Sequence, residues 1–198
     1  MAYAFAKIAF TPSVREQQDK SGSDAYANFL SDTRSGGDIL TDRERAFIEE
    51  CDGFYQATVS ETGWPYVQFR GGPAGFLQTH GDKAITYADL RGNRQYISLG
   101  NLTVDNRVAL IIMNYARAER LKIWGRAEVE ERPEKSDAGW PDGAERRIRI
   151  AVEAFDWNCP RHIPRRLTEE EFGDEMALLR AENARLRAQL NELLARSA

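Results

Sequence analysis

Between residues 54 and 129 the apolar side chains recur at every second position, in short runs separated by turn residues. Residues 54–60 and 65–70 flank the loop Glu61-Thr62-Gly63-Trp64, which is a hairpin signal, and residues 76–79 and 84–88 flank Gly81-Asp82 in the same way. Residues 107–113 read as a strand buried on both faces, and residues 120–129 as a strand of alternating exposure. One polar segment of helical character, ending near Gly100-Asn101, interrupts the series. Strands and helices do not alternate as they would in a doubly wound sheet. Five or six antiparallel strands broken by one helix make a small β-barrel in a mainly β, α+β chain.

The flanks read differently. Residues 1–23 mix aromatics with a polar stretch and suggest an arm laid over a body, followed by a short helix at 24–31 and a break at Arg34-Ser35-Gly36-Gly37-Asp38. Thr41 and Glu44 have the spacing of a capping box ahead of Ala46, Phe47 and Ile48, so a helix starts there and ends around 51–53. Residues 143–153 read as a basic amphipathic helix with Ala144, Ile148, Ala151 and Val152 on one side, leading into an aromatic, polar loop at 154–165. Beyond Thr168, Met176, Leu179, Asn183, Leu186, Leu190 and Leu193 fall at alternating steps of three and four. That is a heptad seam with one Asn at an a-type position, a device that selects a parallel two-stranded register, although a helix packed on its own barrel is the competing reading. The segment before it is acidic, which excludes a DNA-binding zipper. The expected organisation is an N-terminal arm and short helix at 1–40, a barrel at 41–166 and a C-terminal coiled-coil-like helix at 167–198.

A chain of 198 residues with 42% hydrophobic and 29% charged residues is expected to be soluble and globular. Its net charge of -4 argues against a general nucleic-acid binder. Two cysteines are too few for a disulfide framework, and no apolar run reaches spanning length, so the expected home is the cytoplasm. Cys159 and His162 could make half a zinc site, but no second pair accompanies them. A nucleophile elbow, a Walker loop and a dinucleotide fingerprint are all missing, and two histidines supply a triad poorly.

What the chain does offer is arginine beside strands. The stretch from 84 to 107 passes from a strand through a turn to a helix start that carries Arg91, Asn93 and Arg94, a suitable arrangement for an anion. With Arg70, Arg120, Trp124 and Trp157 it suits a phosphorylated, planar, aromatic ligand.

The blocks beginning at Trp64 (WPYVQFRGGP), Ala88 (ADLRGNRQYIS) and Leu121 (LKIWGRA), with Gly100-Asn101-Leu102 and Asn106-Arg107, resemble the pyridoxamine 5'-phosphate oxidase-like family of FMN-binding split barrels. The segment EAFDWNCPRHIPR from Glu153 is similar to a flavin-associated pattern of one branch of that family. The resemblance covers about residues 40 to 166 and implies an antiparallel split barrel that forms a homodimer, with FMN in the groove between protomers. It implies that the strand of Val67, Gln68 and Arg70 lines the flavin, and that Tyr87, Ala88 and Asp89 follow the ring and ribityl chain. Arg94, where the family usually has Lys, would clamp the phosphate with Arg70 and Asn93, and Gln95 joins the same cofactor-binding set. Arg120 stands where the oxidase has a glutamine near the flavin, and Trp157 with Asn158 would reach the neighbouring protomer's flavin. Arg161 and His162 are adjacent where the true oxidase has Arg-x-His, which implies a different branch. The expected activity is a flavin-dependent oxidoreductase acting on a small molecule, with no side chain assigned as general base. A flavin-binding sensor or scaffold with a coiled-coil tail, and a barrel module without cofactor, are the alternatives.

Overall fold

A computed structural model describes residues 2–31, 33–132, 140–157 and 160–196. Seven strands, β1 (Gly53–Val59), β2 (Pro65–Gly71), β3 (Leu77–His80), β4 (Ala84–Leu90), β5 (Arg107–Asn114), β6 (Glu119–Glu131) and β7 (Ala144–Trp157), form one sheet. Its order is β2-β1-β5-β6-β7-β4-β3, and every neighbouring pair is antiparallel. The sheet curls until its two ends face each other. Tyr87 on β4 donates its hydroxyl to Gln56 Oε1 on β1 at 2.7 Å, and its ring meets Phe54 edge-on at 5.2 Å between centroids. Arg70 on β2 reaches Asp89 on β4 at 2.9 Å. No strand ladder joins β2 to β3 or β4, so the barrel is split there and closed by side chains.

The period of two explains which face is inside. Phe54, Gln56 and Thr58 of β1, Val108, Leu110 and Ile112 of β5, Leu121 and Ile123 of β6, and Ile148, Ile150 and Val152 of β7 are all buried. A helix, α3 (Asp42–Glu50), packs Phe47 and Ile48 into this core, and its Glu44 accepts the Thr41 N–H at 2.9 Å as the capping-box spacing predicts. Another, α4 (Ile97–Val104), lies at the Thr58 end of β1, where Asn101 Nδ2 donates to Thr58 Oγ1 at 2.9 Å.

Four sequence-based expectations change. The expected helix at 143–153 is instead strand β7 from Ala144 onward, with Gly143 in the turn before it, which also brings the strand number to seven. Ile148, Ile150 and Val152 alternate with Arg147, Arg149 and Glu153, and a β-branched run of that period fits a half-buried strand better than a helical face. The β5 strand is not buried on both faces: its exposure alternates, and Ile111 is open to solvent. The helix near residue 100 begins only at Ile97, because residues 91–96 form an irregular loop. The N-terminal arm is itself helical, with α1 (Tyr3–Ala9), α2 (Pro12–Lys20) and a 3-10 segment (Asp24–Leu30). Phe5 of α1 stacks on Trp124 of β6 at 4.4 Å, and the Ala2 N–H donates to Asp156 of β7 at 3.1 Å.

Between β6 and β7 the register jumps, Trp124 facing Ala154 and Gly125 facing Val152, which is a β-bulge. A Cβ built on Gly125 would stand 2.4 Å from the Ala151 carbonyl oxygen and 2.8 Å from Ile150 Cγ2. A backbone carbonyl in the ladder cannot swing aside, so Gly125→Ala is expected to destabilise the fold by about 1–3 kcal/mol. The check is a urea melt: a lower midpoint with an unchanged slope is expected, and an unchanged midpoint contradicts the close approach.

The chain ends in α5 (Glu169–Arg196). From Glu169 to Leu190 its side chains are exposed, Met176 alone being half-buried, so the helix does not lay its leucine stripe on its own barrel. Among the described residues no helix is long and apolar enough to cross a membrane, and no cluster of His, Cys, Asp and Glu is placed to hold a metal ion. Cys51 is buried, and burial pushes its thiol up to about 12. Cys159 and its pairing with His162 lie outside the described residues.

Candidate functional site

The split between β2 and β4 places the polar residues. On β2, Tyr66, Gln68 and Arg70 turn inward and are half-buried, whereas Val67 and Phe69 turn outward and are more than half exposed. Gln68 Oε1 accepts the Ser98 hydroxyl of α4 at 2.9 Å, which ties the strand to the helix.

After β4 the chain makes a tight loop. Asn93 Oδ1 accepts the Gln95 N–H at 3.2 Å, an Asx turn, and Arg94 and Tyr96 have positive φ angles of 61° and 53°. Two non-glycine residues in the left-handed region within three positions store conformational strain, of the kind that collects at ligand clamps. Tyr96 is also the N-cap of α4, and no side chain caps that terminus. The first N–H groups of the helix therefore have no side-chain capping acceptor among the described residues.

These residues enclose a cleft of about 200 Å³ whose polar lining includes Gln68, Arg70, Asp89, Asn93, Arg94 and Ser98, with Gln95 on the same wall. Its charges are unevenly committed. Arg70 is paired with Asp89, which also lies 3.7 Å from Arg146, and Arg91 is 3.9 Å from Glu145. Arg94 has no ion pair or hydrogen bond among the described residues. It is the uncommitted guanidinium of the cleft.

Arg70 and Leu90 also line a second, larger cleft of about 530 Å³, with the 71–75 loop, Phe76, Tyr87, Ala88 and Trp140. The Arg70 guanidinium sits 5.7 Å from the Tyr87 ring centroid. Its Nε is buried at the junction of the clefts and has no acceptor among the described residues. Tyr87 is a core residue: burial pushes its phenol up to about 12, and its hydroxyl is spent on Gln56, whose own Nε2 is buried without an acceptor.

The structure thus gathers Gln68, Arg70, Asp89, Asn93, Arg94 and Gln95 around one cleft, and Arg70, Tyr87 and Ala88 around its neighbour. Val67 offers no side chain to either, because the alternation of β2 turns it outward. Arg120 and Trp157 line neither cleft of their own chain. Trp157 instead donates its indole N–H to Glu44 at 2.7 Å and packs edge-on against Phe47. Asn158 lies outside the described residues. Ser98, Gln56, Trp140 and Arg146 escaped the sequence reading. Ser98 follows Arg94 by four residues and was open to notice, whereas Arg146 lay in the segment misread as helix.

A family model described as "Pyridoxamine 5'-phosphate oxidase" matches residues 40–172. No curated protein matches the chain. Among solved structures the chain is similar to HupZ of Group A Streptococcus, at 17% identity over 59% of this chain and 91% of that one, with a TM-score of 0.46. It is similar to a protein of Lactobacillus delbrueckii provisionally named a pyridoxamine 5'-phosphate oxidase (16% identity, 60% and 94% coverage, TM-score 0.48). It is also similar to general stress protein 26 of Bacillus anthracis (15% identity, 57% and 88% coverage, TM-score 0.43). Since the family model spans well over half of its length, the chain belongs to the pyridoxamine 5'-phosphate oxidase family.

Proposed function

We propose that this protein is an FMN-binding flavoprotein that works as an oxidoreductase on a small molecule, with the cofactor's phosphate at the 91–96 loop. The observation that carries the reading is Arg94: an unpaired guanidinium on a strained loop, beside the uncapped start of α4, in a fold family of flavin-binding proteins. A phosphate there would break no existing pair. Asp89 does not oppose it, because Arg70 and Arg146 already neutralise its carboxylate.

The sizes of the two clefts support the reading. Small-molecule sites span roughly 300–1,000 Å³, so the cleft of about 200 Å³ suits the phosphate end and the one of about 530 Å³ suits the planar ring. Arg70 stands between them, held by Asp89, with a buried Nε–H free to donate. Asn93 shapes the loop through its Asx turn, and Gln68 holds Ser98 and so the first turn of α4. Bound FMN would supply hydride and single-electron transfer; the chain supplies grip, orientation and a partly dry setting.

A second copy is part of the proposal. On the outer face of β2, β1 and β5, Phe69, Tyr55 and Ile111 are neighbours in register, Val67 lies two residues along, and all are exposed. An apolar patch of that kind fits a self-complementary contact between copies.

The test is a titration with FMN and with riboflavin, which lacks the phosphate. FMN is expected to bind at least about tenfold more tightly, the worth of one or two charge-assisted hydrogen bonds. Equal affinities would remove the phosphate from the 91–96 loop, and failure to take up either would end the flavin reading. Reduction of the loaded protein by a nicotinamide cofactor, followed by reoxidation, separates an enzyme from a sensor.

A further inference from the structure

We infer that α5 pairs with the α5 of a second copy as a parallel, in-register, two-stranded coiled coil, with its orientation set by charge. The inference is independent of the flavin reading. An α-helix of 28 residues is about 42 Å long, and the apolar stripe of α5 is bare: Phe172, Leu179, Leu186 and Leu190 are each half exposed or more. In the heptad, Phe172, Leu179 and Leu186 take d positions with Leu193 next in sequence, and Met176, Asn183 and Leu190 take a positions. Leucine at d with a single polar a residue suits two strands.

The flanking positions decide the direction. Glu175 and Glu182 fall at g, and Arg180 and Arg187 at e. In a parallel, in-register pair each g residue faces the e residue five places on in the other helix, so Glu175 meets Arg180 and Glu182 meets Arg187, twice over by symmetry. In an antiparallel pair e faces e and g faces g, which sets arginine against arginine and glutamate against glutamate. Within the chain Glu182 pairs with Arg185 at 2.6 Å, whereas Glu175, Arg180 and Arg187 have no ion-pair partner among the described residues. Asn183 Nδ2 turns back to the Leu179 carbonyl at 3.0 Å, and a second helix would offer it the amide of the other Asn183. The stripe, its polar a position and its unpaired flanking charges therefore specify one occupant, another copy of this helix.

Disulfide trapping in the full-length chain carrying Cys159→Ser tests this, with glutathione disulfide as the oxidant that takes the two electrons and two protons. Met176→Cys, at an a position, is expected to give a covalent dimer. Ala181→Cys, at the outward f position, should do so at least about tenfold more slowly. Adding Arg180→Glu and Arg187→Glu to Met176→Cys places four glutamates against four and should slow trapping about tenfold. Equal rates at 176 and 181 would mean random collision, no trapping at 176 would exclude the parallel register, and indifference to the charge reversal would remove the charges from the recognition. Each of these overturns the inference.

Discussion

Replacing Arg94 by alanine is expected to weaken FMN binding by about tenfold to a hundredfold, since a hydrogen bond to a charged group is worth about 1.5–3 kcal/mol. The substitution isolates the side chain. Arg94 has a φ of 61°, a conformation that costs arginine and alanine alike, so the loop keeps its strain and its shape. No hydrogen bond or ion pair is lost with it, because the guanidinium has no such partner among the described residues. Stability should therefore hold while affinity falls. Arg91→Ala is the matched control: Arg91 is exposed and sits 3.9 Å from Glu145, the geometry of a surface ion pair worth little. Fluorescence titration of both variants reads the result. If Arg94→Ala binds FMN as the parent does, the phosphate is not held by Arg94; an equal loss in Arg91→Ala would mean that the grip is not particular to Arg94.

Much of this site was legible because its residues lie close in sequence. Asn93, Arg94 and Gln95 are consecutive, and Gln68 and Arg70 share one strand face, so a period of two and a turn signal were enough to group them. The resemblance implied Arg70 along the flavin and at its phosphate and Asp89 beside the ring and ribityl chain, but their mutual pairing depends on how the sheet curls, which local pattern does not carry. Val67 shows the limit from the other side, since knowing that a strand lines a site does not say which of its faces does. The barrel itself was readable as β-rich and antiparallel from its hairpins. The β7 strand was not, because Ala144, Ile148, Ala151 and Val152 also satisfy a helical period and only the β-branched alternation distinguishes the two. Trp140 reaches the larger cleft from a long connection between β6 and β7, a placement no short-range pattern encodes.

Trp157 was expected at a flavin, and its contacts predict a large effect on stability. Its indole N–H donates to Glu44 Oε1 at 2.7 Å, its ring meets Phe47 at 4.7 Å, and the Arg43 guanidinium lies 4.2 Å from the ring centroid. It therefore ties the end of β7 to the first turn of α3. Trp157→Ala is expected to cost about 3–5 kcal/mol, the range for truncating a packed aromatic. Trp157→Phe keeps most of the packing and removes the donor from a buried carboxylate, for a smaller loss of about 1–3 kcal/mol. The phenylalanine variant carries a pH dependence. Burial favours the neutral form of Glu44, but hydrogen bonds from Thr41 and Trp157 outweigh it and hold the carboxyl below its usual value. A carboxyl depressed in the folded state contributes stability that is present above its unfolded pKa and is lost as pH falls through the folded one, because in that window the unfolded chain binds more protons. The difference between parent and Trp157→Phe should accordingly be full at neutral pH and shrink on acidification to a pH below the depressed folded value, where Glu44 is protonated in both proteins. Urea melts at the two pH values decide it. A difference that stays constant on acidification would show that the tryptophan acts through packing alone.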